Sequence, residues 1–262
     1  MDTSPDHGRG KTEPPTIVAR GTALFLDVDG TLAPIEPVPG AVRPTRRRTR
    51  LLRELGDRLG GRIAAISGRP IGEIDRILGG AVGAVAGLHG LERRSAAAGV
   101  FTVAPHPALS CVLARFRALA DERDGLLVEA KGAAVAVHYR RRPDLAEEVT
   151  VLARALCASS GLDYRPGAMV SELRTPGPHK GDAVRAFMAE PPFADARPIF
   201  VGDDLTDEDG FTAARALGGF GVLVGPDRPS AATYRIADVE AVLAWLATAP
   251  EDAAQPRAAT HV

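Results

Sequence analysis

The chain has 262 residues, of which 45% are hydrophobic and 25% charged, so it can bury a substantial core and is not disordered as a whole. Its 33 acidic and 32 basic residues nearly cancel, which disfavours a protein that binds nucleic acid without regard to sequence. No apolar run reaches the ~18 residues of a membrane-spanning helix, and two distant cysteines exclude a disulfide framework and a cysteine zinc site.

The first part of the chain alternates apolar runs with amphipathic stretches. Strands are predicted at 22–27, 62–66 and 81–86, and the run at 22–27 is apolar throughout, which is typical of a strand buried on both faces. Leucine and isoleucine recur at helical spacing between these strands. The order βαβαβ predicts right-handed crossovers and a Rossmann-like, doubly wound parallel sheet.

The pattern changes in the middle of the chain. A helical stripe at 109–119 precedes a predicted hairpin of strands 126–130 and 133–140, and a second helix at 145–156 precedes a strand at 168–174. Helix, hairpin, helix and strand together predict a small α+β unit that is distinct from the parallel sheet.

The parallel pattern resumes after Pro176. Helices are predicted around 183–188, 211–217 and 239–246, and strands at 198–202 and 220–224. We therefore expect an α/β fold in which a smaller α+β domain is inserted into the parallel-sheet core. The expected divisions are a disordered tail at 1–19, a core formed by 20–105 and 176–248, an inserted domain at 106–175 and a disordered tail at 249–262.

Two carboxylates lie at the end of the first predicted strand, in the sequence DVDGT at 27–31. Ligands of open α/β sheets bind at the carboxyl ends of the strands, and side chains two residues apart point the same way. Asp27 and Asp29 are therefore predicted to face one crevice. Their repulsion allows one carboxyl to stay ionised while the other holds a proton, as acid–base catalysis requires.

A second acidic stretch, GDDLTDED at 202–209, follows another apolar strand. Carboxylates that meet in one crevice need a cation, and all-oxygen ligands favour Mg²⁺, although they do not by themselves distinguish it from Mn²⁺ or Co²⁺. We interpret Glu208 and Asp209 as the acidic start of a helix. Asp203 is a candidate metal ligand because it lies at the strand end itself.

Two further features fit a phosphate site. Ser67, Gly68 and Arg69 follow the second strand, and Pro70 is suited to the first turn of a helix, whose free N–H groups bind phosphate. Lys180 begins a predicted helix, and only three of the 32 basic residues are lysine. The alternatives are an ordinary N-cap serine and a solvent-exposed lysine.

In this order, DVDGT, SGR, a lysine and GDD resemble the motifs of the haloacid-dehalogenase-like phosphohydrolases, over about residues 20–247. The resemblance implies that Asp27 is the nucleophile, forming an aspartyl-phosphate, and that Asp29 protonates the leaving oxygen and then activates water. It also implies that Ser67 and Lys180 hold the phosphoryl oxygens.

The same resemblance implies a Mg²⁺ site. Asp203 would bind the ion together with the carboxylate of Asp27 and the backbone carbonyl of Asp29, and Asp204 would be a supporting or second metal-site carboxylate. The inserted domain would be a cap that selects the substrate.

Four stretches go beyond the superfamily pattern: GLHG at 87–90, EAK at 129–131, HYR at 138–140 and ELR at 172–174. Together with GDDLTDED they are similar to motifs of the trehalose-6-phosphate phosphatases. The resemblance implies that the sugar hydroxyls are contacted by the cap residues Glu129, Lys131, Arg140 and Glu172. His89 is a further candidate for substrate binding, and its alternative is a structural histidine; we expect His138 on a face of the cap sheet.

Several functions remain open on the sequence alone. The first is hydrolysis of trehalose 6-phosphate; the others are hydrolysis of sucrose phosphate or mannosylglycerate phosphate, a phosphosugar mutase, and a catalytically dead binding module. The expected partner is a small-molecule sugar phosphate, with neither nucleic acid nor membrane, and a monomer is the working expectation. Because the first residues lack the apolar stretch of a signal peptide, we expect a cytoplasmic protein.

Overall fold

A computed structural model describes residues 11–167 and 169–249 of the chain. Residues 1–10 and 250–262, the outer parts of the tails expected at 1–19 and 249–262, lie outside the described residues. Ala249, expected in the second tail, is buried, and Arg58 donates to its carbonyl. The prediction of disorder through residue 19 is wrong for 11–19, because Ile17 is buried in the core and the indole N–H of Trp245 donates to the Pro15 carbonyl. Apolar contacts and such hydrogen bonds hold this polar-looking segment against the body of the protein.

The larger sheet has eight strands in the order β12-β11-β10-β1-β2-β3-β4-β5. The six from β12 to β3 are parallel, and β4 and β5 are antiparallel additions at one edge. The strands are β1 (Thr22–Leu26), β2 (Ile63–Ile66), β3 (Ala84–Gly87), β4 (Glu92–Ser95), β5 (Gly99–Thr102), β10 (Arg197–Gly202), β11 (Phe220–Val224) and β12 (Tyr234–Ile236). The predicted α/β fold with a large, mainly parallel sheet is confirmed.

Helices cover both faces of this sheet because its central strands are apolar on both sides. Leu24 and Leu26 of β1 pack towards one face with α1 (Arg46–Arg58), α2 (Ile71–Leu78) and α7 (Val239–Ala247). Ala23 and Phe25 pack towards the other face with α5 (Lys180–Met188) and α6 (Glu208–Ala216). No helix among the described residues is both long and apolar enough to cross a membrane.

The smaller sheet has four antiparallel strands in the order β6-β7-β9-β8. They are β6 (Leu127–Ala130), β7 (Ala134–His138), β8 (Asp163–Gly167) and β9 (Val170–Arg174). One face packs its apolar side chains against α3 (Leu109–Glu122) and α4 (Ala146–Ser160). By strand alternation the other face carries Glu129, Glu172 and Arg165, which line a cavity shared with the larger sheet.

Four strands in the structure have no counterpart in the sequence analysis. The edge strands β4 and β5 and the short β12 extend the larger sheet, and β8 completes the smaller one. β4 reads ERRS and β8 reads DYRPG, so neither shows the alternation of apolar and polar residues that identifies a half-buried strand. Their pairing partners, rather than their own sequences, define them.

Candidate active site

A buried ammonium lies at the centre of the site. Lys180, the first residue of α5, is 2% exposed, and its Nζ lies 2.8 Å from Asp27 Oδ1 and 2.6 Å from Asp207 Oδ1. Burial alone would lower the pKa of Lys180, but the charges of Asp207 and Asp27 outweigh it and raise the pKa above the usual value. The alternative of a solvent-exposed lysine is therefore wrong.

The two carboxylates that pair with Lys180 form a cluster with a third, that of Asp203. Oxygen atoms of Asp27, Asp203 and Asp207 lie within 4.8 Å of one another. Burial, reinforced by the charge of Asp207, raises the pKa of Asp203 to about 7, and burial also raises the pKa of Asp27 and of Asp207. Three carboxylates and one ammonium leave two negative charges when all are ionised. The cluster therefore suits a divalent cation with oxygen ligands.

Close backbone approaches make the cluster possible. Gly30, directly after the strand-end carboxylates, has a φ of +82°, and a Cβ there would lie 2.1 Å from a carboxylate oxygen of Asp203. Similarly, a Cβ at Gly202 would lie 2.3 Å from the carboxyl carbon of Asp207. Asp207 is held in turn by the N–H groups of Asp203 and Asp204, which donate to its Oδ2 at 3.0 and 2.9 Å.

Asp29 does not join the three-carboxylate cluster. It accepts two hydrogen bonds from the guanidinium of Arg69, from Nε at 2.6 Å and from Nη2 at 2.7 Å, and Arg69 also donates to Glu73. Burial would lower the pKa of Arg69, but the bonds to Asp29 and Glu73 raise it. Arg69, predicted to bind substrate, lines the cavity while its guanidinium positions Asp29.

The loop after β2 forms one wall of the cavity. Ser67 is buried, and its Oγ accepts a hydrogen bond from the Arg69 N–H at 3.3 Å. It is not the N-cap of α2, since that position is Pro70 and has no side-chain cap. Gly68 lies so close to His89 that a Cβ at Gly68 would be 2.6 Å from the ring Nε2. Burial lowers the pKa of His89 well below its usual value, which keeps the ring neutral.

Opposite this wall, the smaller sheet presents a chain of charged groups. Lys131 Nζ donates to Glu172 Oε2 at 2.8 Å, and His138 Nε2 lies 2.8 Å from Glu129 Oε2. Burial would raise the pKa of Glu129, but its hydrogen bond with His138 and the charge of Lys131 lower it. These bonds fix the two carboxylates in place, and Lys131 also reaches the Gly68 carbonyl at 3.4 Å.

A single cavity brings together every candidate residue from the sequence. Arg140 enters it from beyond β7 and donates to the Glu36 carbonyl of the larger domain. The cavity is lined by all the candidates, namely Asp27, Asp29, Ser67, Gly68, Arg69, His89, Glu129, Lys131, Arg140, Glu172, Lys180, Asp203 and Asp204. An acidic crevice with a buried lysine thus faces a set of polar groups on a separate sheet.

Comparison with known proteins identifies the family. The family model described as trehalose-phosphatase matches residues 25–240. The chain belongs to the trehalose-phosphatase family. It is similar to the probable trehalose-phosphate phosphatase of Sinorhizobium fredii, with 40% identity over 79% of each chain.

The trehalose-6-phosphate phosphatase of Escherichia coli is 35% identical over 90% of this chain and 88% of that protein. Among solved structures, the C-terminal domain of the Candida albicans trehalose-6-phosphate phosphatase aligns with a TM-score of 0.76. That alignment covers 86% of this chain and 90% of the other at 23% identity, and it shows a shared fold. As a member of the trehalose-phosphatase family, the chain is a phosphatase enzyme.

The place of Asp207 in the carboxylate cluster was not predicted from the sequence. Asp204, predicted as a metal-site residue, lines the cavity, but its Oδ1 accepts from the Leu205 N–H and it is not part of the three-carboxylate cluster. Asp207 is fully buried and occupies that position instead. Its place depends on a single turn of 3₁₀ helix, Leu205–Asp207, which the acidic run did not reveal.

Two other side chains have roles at the cavity that the sequence did not predict. His138, expected only on a face of the smaller sheet, positions Glu129, and Arg165 of β8 lines the cavity although no motif singled it out. Only the pairing of β8 with β9 would have placed Arg165 on the cavity face, and β8 was not predicted. By contrast, Glu208 and Asp209 lie in the first turn of α6, as expected, and Glu208 also accepts hydrogen bonds from Arg228 and from the Ala231 N–H.

Proposed function

We propose that this phosphatase hydrolyses trehalose 6-phosphate to trehalose and inorganic phosphate, with Mg²⁺, through an aspartyl-phosphate on Asp27. The observation that carries the proposal is the cavity itself, in which a buried carboxylate cluster with Lys180 faces Glu129, Lys131 and Glu172. The similar proteins from Sinorhizobium fredii and Escherichia coli are a probable trehalose-phosphate phosphatase and a trehalose-6-phosphate phosphatase, which agrees with this proposal.

In the first step, a carboxylate oxygen of Asp27 attacks phosphorus and the bond from phosphorus to the sugar oxygen breaks. Asp29 gives its proton to the departing sugar oxygen, which leaves as a hydroxyl. Arg69 holds Asp29 in a bidentate pair, so this pair has to loosen when Asp29 carries the proton. Lys180 and the Ser67 hydroxyl hold the phosphoryl oxygens during the transfer.

In the second step, water attacks phosphorus of the aspartyl-phosphate while Asp29 accepts a proton from it. The bond from phosphorus to the Asp27 oxygen breaks, which regenerates the carboxylate and releases inorganic phosphate. Asp27, Asp203 and Asp207 would hold the Mg²⁺, and their oxygen-only donor set fits that ion. When bound, the ion would neutralise charge on the phosphoryl group.

The four-stranded sheet with α3 and α4 is proposed to act as a cap that recognises the sugar. Its cavity face offers carboxylates and a lysine at fixed positions, and such groups form short charge-assisted hydrogen bonds with hydroxyls. A site built to bind hydroxyls discriminates strongly against analogues that lack them, because its buried polar groups would then be left unpaired.

The test is phosphate release from a panel of sugar phosphates, measured with Mg²⁺ and again with a chelator. We expect trehalose 6-phosphate to give the highest kcat/KM and the chelator to abolish turnover. A higher kcat/KM for sucrose 6-phosphate or mannosylglycerate phosphate would contradict the substrate assignment. Full turnover in the chelator would contradict the metal requirement.

A further inference from the structure

Two polar groups that face the cavity lie on neighbouring strands of the smaller sheet. Arg165 of β8 is directly opposite Glu172 of β9 in the antiparallel register, and the same row continues through Ala136 to Glu129. Directly opposite side chains on one face have Cβ atoms about 5 Å apart. Arg165 therefore belongs to the same surface as Glu129 and Glu172.

Glu172 is only half satisfied. Its Oε2 accepts from Lys131, but its Oε1 is buried and has no hydrogen-bond partner among the described residues. His89 Nε2 lies 3.7 Å from this oxygen, which is too long for a hydrogen bond. Leaving a buried acceptor without a partner costs free energy, so a donor supplied by a ligand would stabilise this oxygen.

Arg165 has hydrogen-bond donors but no acceptor within the described part of the chain, the opposite of Glu172 Oε1. It is half-buried, and within residues 11–167 and 169–249 its guanidinium makes no hydrogen bond or ion pair. By comparison, Lys131 pairs with Glu172, and Lys180 pairs with Asp27. Every one of these cations lines the same cavity, so the difference does not arise from location alone.

A second guanidinium, that of Arg174, lies near Arg165. Burial lowers the pKa of the neighbouring Arg174, and the charge of Arg165 lowers it further. Arg174 is fully buried and Arg165 is half-buried, so the two positive charges repel each other. A ligand group that accepts from Arg165 and donates to Glu172 Oε1 would satisfy both side chains.

We propose that Arg165 is a specificity-determining residue that, with Glu172, clasps one hydroxyl of the sugar. The guanidinium donates to the hydroxyl oxygen, and the hydroxyl donates its own proton to Glu172 Oε1. A hydroxyl is the group that both donates and accepts, whereas a second phosphate would be repelled by the carboxylate. This inference rests on the proposed function and extends it to a residue outside the family motifs quoted above.

The test compares kcat/KM for trehalose 6-phosphate and for p-nitrophenyl phosphate, which has no sugar, in the full chain with Mg²⁺. Arg165→Ala is expected to lower kcat/KM for trehalose 6-phosphate by about tenfold to a hundredfold and to leave p-nitrophenyl phosphate within about twofold. Arg165→Lys keeps the charge and is expected to recover part of the loss. The matched control is Arg117→Ala, an exposed arginine on α3, which packs on the opposite face of the sheet.

The outcomes separate the two proposals. If the wild-type enzyme releases no phosphate from trehalose 6-phosphate, the proposed function fails and this inference fails with it. If the wild type is active but Arg165→Ala is unchanged, or loses equally on both substrates, only the inference is overturned. Should the alanine variant not fold, as judged by circular dichroism, Arg165→Gln, which removes the charge and keeps most of the chain length, must meet the same criterion.

Discussion

The two walls of the cavity use similar residues but balance their charges differently. On the wall formed by the larger sheet, three carboxylates cluster together, and two of them, Asp27 and Asp207, pair with the ammonium of Lys180. On the wall formed by the smaller sheet, the two carboxylates Glu129 and Glu172 face three cations, Lys131, Arg140 and Arg165. The first wall has an excess of negative charge that suits a metal ion, and the second carries groups that suit neutral hydroxyls.

This difference suggests a division of labour. Substitutions in the larger domain should impair every phosphate ester alike, because all esters undergo the same bond changes at phosphorus. Substitutions on the smaller sheet should impair only substrates whose sugar reaches it. Comparing a sugar phosphate with p-nitrophenyl phosphate therefore measures which wall a residue serves.

The largest effect is expected at Asp27. Asp27→Asn removes the proposed nucleophile and should lower kcat on trehalose 6-phosphate and on p-nitrophenyl phosphate by roughly 10⁴-fold or more. Phosphate release measures the loss, and circular dichroism checks that the fold is intact. Residual turnover within about tenfold of wild type would exclude Asp27 as the nucleophile.

A smaller effect, measured on metal binding, separates two neighbouring aspartates. Asp207→Asn should raise the Mg²⁺ concentration needed for half-maximal activity by about tenfold to a hundredfold, since a ligand of the cluster is lost. Asp204→Asn is the matched control and should change it by less than about threefold. The reverse order would restore Asp204, rather than Asp207, as the metal ligand.

The smallest effect is expected at His138, which acts through Glu129. His138→Phe removes the 2.8 Å contact and should lower kcat/KM for trehalose 6-phosphate by about fivefold, while p-nitrophenyl phosphate is unaffected. His138→Asn, which can still donate, should retain more activity than the phenylalanine variant. Equal losses for the two variants would show that the ring fills space and does not orient Glu129.

The sequence was most informative where local patterns decide structure. The apolar runs before Asp27 and Asp203 predicted two strand ends at one edge of a parallel sheet, and the structure has them as neighbours, β1 and β10. The scarcity of lysine also drew attention to Lys180, which lies in the cavity. The placement of the two strand ends needed only the burial of the apolar runs and the direction of parallel strands, and the choice of lysine needed only the composition.

Features that depend on tertiary contacts could not be predicted from local sequence patterns. The pair between Asp29 and Arg69 joins two separate strand ends and follows from how their loops fold. Asp207 was indistinguishable from its acidic neighbours, because only the turn after β10 directs it inward. Arg165 lies on a strand that carries a proline and no apolar alternation, so its pairing with β9 shows its orientation only in the folded chain.

The most direct test of the division of labour is the ratio of kcat/KM for trehalose 6-phosphate to kcat/KM for p-nitrophenyl phosphate in Glu129→Gln. This substitution keeps the shape of the side chain and removes the charge that His138 and Lys131 hold in place. We predict that the ratio falls by about tenfold or more while the rate on p-nitrophenyl phosphate stays within about twofold of wild type. A ratio that does not change would contradict the assignment of substrate selection to the smaller sheet.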